Sequence, residues 1–415
     1  MTQPNAFSAW QLEPLELAAF QAQNPARERP LSVAQARYLL SFSLLAPSAH
    51  NTLPQAYGLE LEQGRIALFL RREHVLDASD PTGREAVISV GCAVENLLTA
   101  AAAYGVTATW QPRADLSWPE LGPSKAPDRV RLGHVQLSDP GTPPDEGRRR
   151  SALVSMLERK VVRAEFDASP LPRSLAAELA AVTHPDEAVS LHVFETESDR
   201  FAWGKLDELA MKHKLEQPNF RVELGRWLLP NDDDWSSRGM RGREFGLDDP
   251  VTLSLSEQLR GEAPMASDQT AFMARAGRIG LTSSSAVCVL SCLDQSPEAA
   301  VAAGRVYQRC ALLAWNEGVV HAVHTAVCKV SHTSAMAQAT LLRGAAPPSV
   351  IFRLGRPRHP SDLSRAHSSR AALSELLVDA RGEVFSRSHR PSDAYSTHST
   401  HSTHSTPELG QERGP

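Results

Sequence analysis

The run DPTGREAVISVGCAVENLLTAAAAYG, residues 80–105, decides the fold of this chain. At helical spacing Val87, Val90, Gly91, Val94, Leu97, Leu98 and Ala101 fall on one side, while Ile88, Ala93, Ala100 and Ala103 cover much of the rest. A helix apolar nearly all round belongs inside a protein. Gly91 and Ala93 keep its surface low enough for another helix to approach closely. Asp80 before Pro81 reads as a cap at its start, and Gly105 as its stop.

The same order of elements is written twice. In the first copy a strand at 66–70 precedes the helix at 84–104, and a strand at 106–110 follows Gly105. In the second a strand at 286–293 leads to Ser296 and Pro297, a helix at 298–317, Gly318 and a strand at 319–323. The two long helices are expected to pack together in the middle of the molecule. Each copy also has a lead-in helix, at 33–45 and at 152–162. The halves are placed at 1–145 and 146–378, the second carrying an insertion at about 198–275. Within the insertion 199–213 and 220–229 read as helices. Residues 236–249, with glycines at 239, 242 and 246, read as a mobile loop. Such a loop fits a lid, and equally a surface insertion without function. A short helix is expected at 371–378. The polar end, 379–415, repeats His-Ser-Thr three times and cannot bury enough apolar surface to fold.

At 42% hydrophobic and 22% charged, the 415-residue composition is that of a soluble globular protein. A net charge of -5 argues against a nucleic-acid partner. No apolar run reads as a membrane span, and the first residues lack the basic start and apolar core of a secretory signal. Five cysteines without a regular framework fit reduced thiols in the cytoplasm, with Cys288 and Cys292 in the core. No glycine-rich nucleotide fingerprint, P-loop or nucleophile elbow is present.

Two groups of residues could carry chemistry. The loop APSAHNTLP, 46–54, sets hydroxyl, imidazole and carboxamide groups between two prolines directly after the first lead-in helix. It could grip a planar polar ligand, or be an ordinary helix stop. Arg159 and Arg163 are spaced for one face at the end of the second lead-in helix, and Arg353, Arg356, Arg358, Arg365 and Arg370 follow later. Converging guanidinium groups suit a phosphate, although solvated surface arginines look the same in sequence. His321, His324, Cys328 and His332 would share a face on a helix and could bind a metal. The strand expected after Gly318 scatters them instead, and no metal site is assigned.

Together these residues resemble the nitroreductase-like FMN-binding superfamily, and within it the tandem-repeat Acg-type branch, in which two nitroreductase-like halves are fused. The matching pieces are 46–54, 80–105, ERKVVRAEF at 158–166, DDWSSRGMRGREFGL at 233–247, AAGRVYQRCALLAWNEGV at 302–319 and VIFRLGRP at 350–357. The resemblance implies an α+β fold, two fused halves forming an intramolecular pseudo-dimer, each a sheet flanked by helices around central buried helices. It implies one FMN between the halves. Pro47, Ser48, His50 and Asn51 would contact the flavin ring and ribityl chain, Arg159, Arg163 and Arg370 would bind the phosphate, and His321, His324 and Thr325 would line the other side. NAD(P)H would be the electron donor in a ping-pong transfer of hydride to an electron-poor small molecule. No side chain is assigned as a dedicated acid or base. The implied assembly is a monomeric pseudo-dimer or a homodimer, with no nucleic-acid or membrane partner.

The chain departs from the family pattern at Leu53, Gln55, Val161 and Val162, where hydrogen-bonding or aromatic residues are usual. These departures keep two other readings open. One is a flavin-sequestering protein without turnover, with 231–249 as its lid. The other is a cofactor-free structural member.

Overall fold

In the computed structural model the 80–105 segment is a helix, Arg84–Ala103, that crosses a second, Pro297–Asn316, at Gly91 and Gly304. The structure describes residues 12–25, 30–183, 188–231, 236–365, 367–379 and 381–383. A Cβ on Gly91 would run into the Val301 carbonyl, and one on Gly304 into that of Ile88, so the backbones touch. Polar groups lock the crossing: Gln308 Nε2 donates to Asn96 Oδ1 at 2.7 Å, and Glu95 pairs with Arg305 at 3.1 Å and Arg309 at 3.4 Å. The expected central pair is therefore present.

Its capping differs in one place. Ser296 caps the second helix with Pro297 in the first turn, as expected. The first helix has Gly83 at its cap, at φ 77°. Asp80 sits a turn upstream and reaches in to accept the Ala86 N–H at 2.9 Å. Both helices are followed by glycines of positive φ, Gly105 and Gly318.

The strands form a sheet on each side of this pair. They are β1 (Gln55–Glu60), β2 (Arg65–Arg71), β3 (Val106–Pro112), β4 (Arg129–Pro140), β5 (Phe166–Asp167), β6 (Val189–Phe194), β7 (Leu228–Leu229), β8 (Met240–Arg241), β9 (Ala286–Cys292), β10 (Val320–Val323), β11 (Pro348–Pro357) and β12 (Leu377–Val378). The first sheet runs β12-β1-β2-β4-β3 and the second β10-β11-β9-β6, with β5 beside β11. The fold is thus α+β, with a sheet and its helices in each of two halves. Residues 377–378, expected to end a helix, instead join the first sheet parallel to β1, while only Leu373–Leu376 is helical. The C-terminal segment so returns to the opposite half, and Arg370 travels with it. Cys288 and Cys292 are buried in β9, as expected.

Arg84–Ala103 corrects the expectation that no segment could pass for a membrane span. Its mean hydropathy of 1.6 over 18 residues meets that test, yet 83% of the window is buried inside the protein. Composition alone does not separate a central core helix from a span.

Four helices make up most of the insertion: Glu197–Glu216, Pro218–Trp227, Asp249–Arg260 and Ser267–Thr282. The segment read as a loop without structure is corrected. β8 pairs in parallel with β7, and a 3-10 turn follows at Gly242–Phe245. The second lead-in helix is Glu146–Glu158, so Arg159 and Arg163 lie beyond its end, not on one helical face. The tail expected to be unfolded lies outside the described residues except for 379 and 381–383, as does the 232–235 part of the lid candidate.

Candidate functional site

The 46–54 loop is held in an unusual backbone conformation. His50, Asn51 and Leu53 have φ of 46°, 55° and 50°. Asn and His enter this region more readily than most residues, and Leu does not. Each such residue costs about 1 kcal/mol or more unless its surroundings fix it. Here they do. The Ser48 hydroxyl accepts the Leu53 N–H at 3.1 Å, and Leu53 is fully buried. Asn51 Nδ2 donates to the carbonyls of Gly239 and Ser369, both at 3.1 Å, and Asn51 Oδ1 accepts from Arg370 at 2.8 Å.

Arginines gather behind this loop. Arg370 donates to the Leu44 and Leu45 carbonyls at 3.0 and 3.3 Å, and Arg159 to Leu45 at 2.9 Å. These carbonyls end the helix Val33–Ser43, where cations complement the negative end of the dipole. Burial lowers the Arg159 pKa, and burial followed by the neighbouring Arg159 charge brings Arg370 down to about 9. Arg159 is 2% exposed, has no carboxylate partner among the described residues, and leaves Nε without an acceptor. Arg163 reaches Glu244 at 3.4 Å and stacks 4.6 Å from the Phe245 ring. Arg159, Arg163 and Arg370 line a small pocket together with Pro47, Ser48 and Asn51. Arg356 and Arg358 line neither this pocket nor the cavity next to it.

That neighbour is a cavity of about 460 Å³, within the usual range for a ligand site. Pro47, Ser48, Val161, Arg163 and Met240 border both spaces. His50, His324 and Thr325 line the cavity, so nine of the ten residues expected around the flavin lie on one of the two adjoining spaces. His321 does not. It is buried in β10, its neighbours Cys328 and His332 lie on later helices, and no metal-ligand cluster occurs among the described residues. Gln55 also turns away, being buried in β1 beside Tyr57.

The insertion supplies the cavity's roof: Met211, Phe220, Leu224, Leu255, Leu259 and Met273. Sequence reading missed Asp207 and the role of Arg353. Arg353 Nε donates to His324 Nε2 at 3.1 Å, and His324 Nδ1 meets Asp207 Oδ2 at 3.3 Å, which fixes the imidazole proton on Nδ1. Lys329 pairs with Glu85 at 2.6 Å on the same wall. Burial, then the charges of Lys329 and Arg163, holds the His50 pKa down at about 3. The spacing of His324 from Asp207, 117 residues along the chain, left no local signal.

A protein of Mycobacterium tuberculosis named as an NAD(P)H nitroreductase, acg, is 30% identical to this chain over 226 residues. Over that span the chain is similar to a nitroreductase-like protein. That match covers 51% of the chain and 66% of the relative, a little under two thirds of its length. A second relative from the same organism, the uncharacterized protein Rv3127, is 28% identical over 187 residues, 45% of this chain and 50% of that protein. No protein-family model matches. Among solved structures, the FMN-dependent nitroreductase NfnB of Mycobacterium smegmatis with NADPH aligns at TM-score 0.38 and 15% identity, over 57% of this chain and 99% of that one. A nitroreductase structure from Anabaena variabilis aligns at TM-score 0.44 and 11% identity, over 86% and 94%. At such scores neither fixes the fold, which rests on the strand order and helix crossing described above.

Proposed function

We propose that this chain is an FMN-dependent oxidoreductase of nitroreductase type, with halves at 1–145 and 146–378 fused as a pseudo-dimer that holds one FMN. The observation that carries the reading is the junction of a cationic pocket with a large, mostly apolar cavity across Pro47, Ser48, Val161, Arg163 and Met240. FMN has the same two parts, a dianionic phosphate and a flat ring. The residues present fit it: a buried Arg159 with an unsatisfied Nε is costly alone and stabilised by an anion. The match to a relative named for NAD(P)H nitroreduction points the same way.

In this reading Arg159, Arg163 and Arg370 hold the phosphate, and Pro47, Ser48 and His50 border the ring. His324 and Thr325 face them from the second half. Asn51 positions the loop, since its amide is already bonded to protein on three sides. Held there, FMN would supply the ping-pong hydride chemistry between NAD(P)H and a small electron-poor acceptor. The chain's part is to bind and orient these groups and to exclude water beneath the apolar roof.

The roof also favours a second reading, flavin sequestration without turnover. β8 and the turn after it close over Arg163 through Phe245 and are tied to Asn51 through Gly239. Absorbance separates the two. Catalysis predicts a yellow protein that NAD(P)H bleaches without oxygen and that an added nitroaromatic or quinone recolours. A yellow protein that NAD(P)H leaves unchanged would point to sequestration, and a colourless protein that takes up no FMN would overturn both.

A further inference from the structure

One end of the large cavity carries a cation separate from the three arginines assigned to phosphate. Arg353 is 1% exposed and lines this end. Its guanidinium is sandwiched, with the Phe166 ring 3.8 Å away on one face and Gly280 against the other. Only the edges of the plane remain for hydrogen bonding. Nε donates to His324, and Nη2 to the Arg163 and Ala164 carbonyls at 3.1 and 2.8 Å. Nη1 has no acceptor among the described residues. Burial and the Arg163 charge bring its pKa to about 9, so it remains a cation at neutral pH.

The aim of this arginine is set from the insertion. Asp207, on the helix Glu197–Glu216, accepts the His324 Nδ1 proton and is itself 2% exposed. Gly277 on the neighbouring inserted helix leaves it room, since a Cβ there would collide with Asp207 Oδ2. Among the other cations lining the cavity, Lys329 pairs with Glu85 and Arg163 with Glu244, while Lys214 donates to the Ala78 carbonyl at 3.2 Å and lies 4.8 Å from the Phe220 ring. Most of the remaining lining is apolar, including Met211, Phe220, Leu224 and Met273.

We propose that Arg353 anchors the anionic oxygen of a bound acceptor whose apolar body lies beneath the inserted helices, with Asp207 positioning Arg353 through His324. The ligand class is an aryl or alkyl acid bearing a carboxylate or phenolate. The inference rests on the acceptor-reducing function proposed above. A charged oxygen gains a charge-assisted hydrogen bond that a carboxamide of the same shape does not.

The test is titration calorimetry of the full chain, as isolated and after FMN loading, with 4-nitrobenzoate and 4-nitrobenzamide and without reductant. The acid should bind at least about tenfold more tightly than the amide. Arg353→Gln should bring the ratio near one, and Asp207→Asn should lower it. Arg353→Lys, which keeps the charge, should retain part of the preference. Equal affinities in the wild-type protein, or an undiminished ratio in Arg353→Gln, would overturn the anchor. If Arg353→Gln does not fold, an unchanged ratio in both Asp207→Asn and Arg353→Lys would do so. A chain that prefers the acid yet takes up no FMN would sink the flavin reading and leave the anchor standing.

Discussion

Asn51 and Gly239 are joined twice: the Asn51 amide donates to the Gly239 carbonyl at 3.1 Å, and the Gly239 N–H donates to the Asn51 carbonyl at 3.2 Å. Through the same side chain the loop also holds Ser369 and Arg370. One carboxamide therefore connects the first half, the insertion and the returning C-terminal segment. Asn51→Ala removes three side-chain hydrogen bonds and a residue suited to positive φ. It should cost about 1–3 kcal/mol in urea denaturation and speed FMN release. Unchanged stability and release would show that the joint does not hold the site together.

The central crossing predicts a larger effect. Gly304→Val forces side-chain atoms into the Ile88 carbonyl and cannot be accommodated without separating the helices. A loss of about 3 kcal/mol or more is expected, or failure to fold. Gly318→Ala, where a Cβ meets nothing within 4 Å, should cost only the strain of φ 67° and serves as the comparison.

His50 predicts a pH dependence of defined sign. It lines the large cavity, and its folded pKa of about 3 lies below its ordinary 6.5. Between these values the unfolded chain binds a proton that the folded one does not. Stability should then rise with pH across that interval, and be lost as pH falls below about 6.5. His74 and His367, held at about 2 and about 3, act in the same direction. His50→Asn should reduce the loss between about pH 7 and pH 5 by about 1–2 kcal/mol in urea melts at each pH. An unaltered slope would place the acid sensitivity elsewhere.

Arginine 163 and histidine 332 offer a matched pair. Arg163 borders both the cationic pocket and the large cavity, whereas His332 lines neither. Arg163→Ala should raise the FMN dissociation constant by about tenfold or more, and His332→Ala should leave it near wild type. Equal retention in the two variants would count against the proposed phosphate contacts.

Much of the fold was legible because it rests on local signals. The apolar circumference of 84–103, the Ser296 and Pro297 cap and the glycine stops each act within one turn of helix. The repeat placed two such helices in one molecule, and Gly91 already indicated a close crossing. The errors came where distant partners decide. Residues 377–378 continue a strand because β1 offers an open edge, not because their own pattern changes. Residues 240–241 pair with 228–229 across the insertion, a contact that composition does not encode. The same holds at the site. Motif residues such as Ser48 and Arg163 could be named from sequence, but Asp207 enters only through the packing of the inserted helices, and the amide of Asn51 turns out to be used on protein groups.

The most direct measurement is an FMN titration of the purified, flavin-stripped full chain, followed by the change in flavin absorbance or fluorescence. The account predicts saturation at one FMN per chain, with binding weakened strongly by Arg159→Ala and by Arg163→Ala in proteins that keep the wild-type fold by circular dichroism. Two FMN per chain, or a folded wild-type chain that binds none, would contradict it.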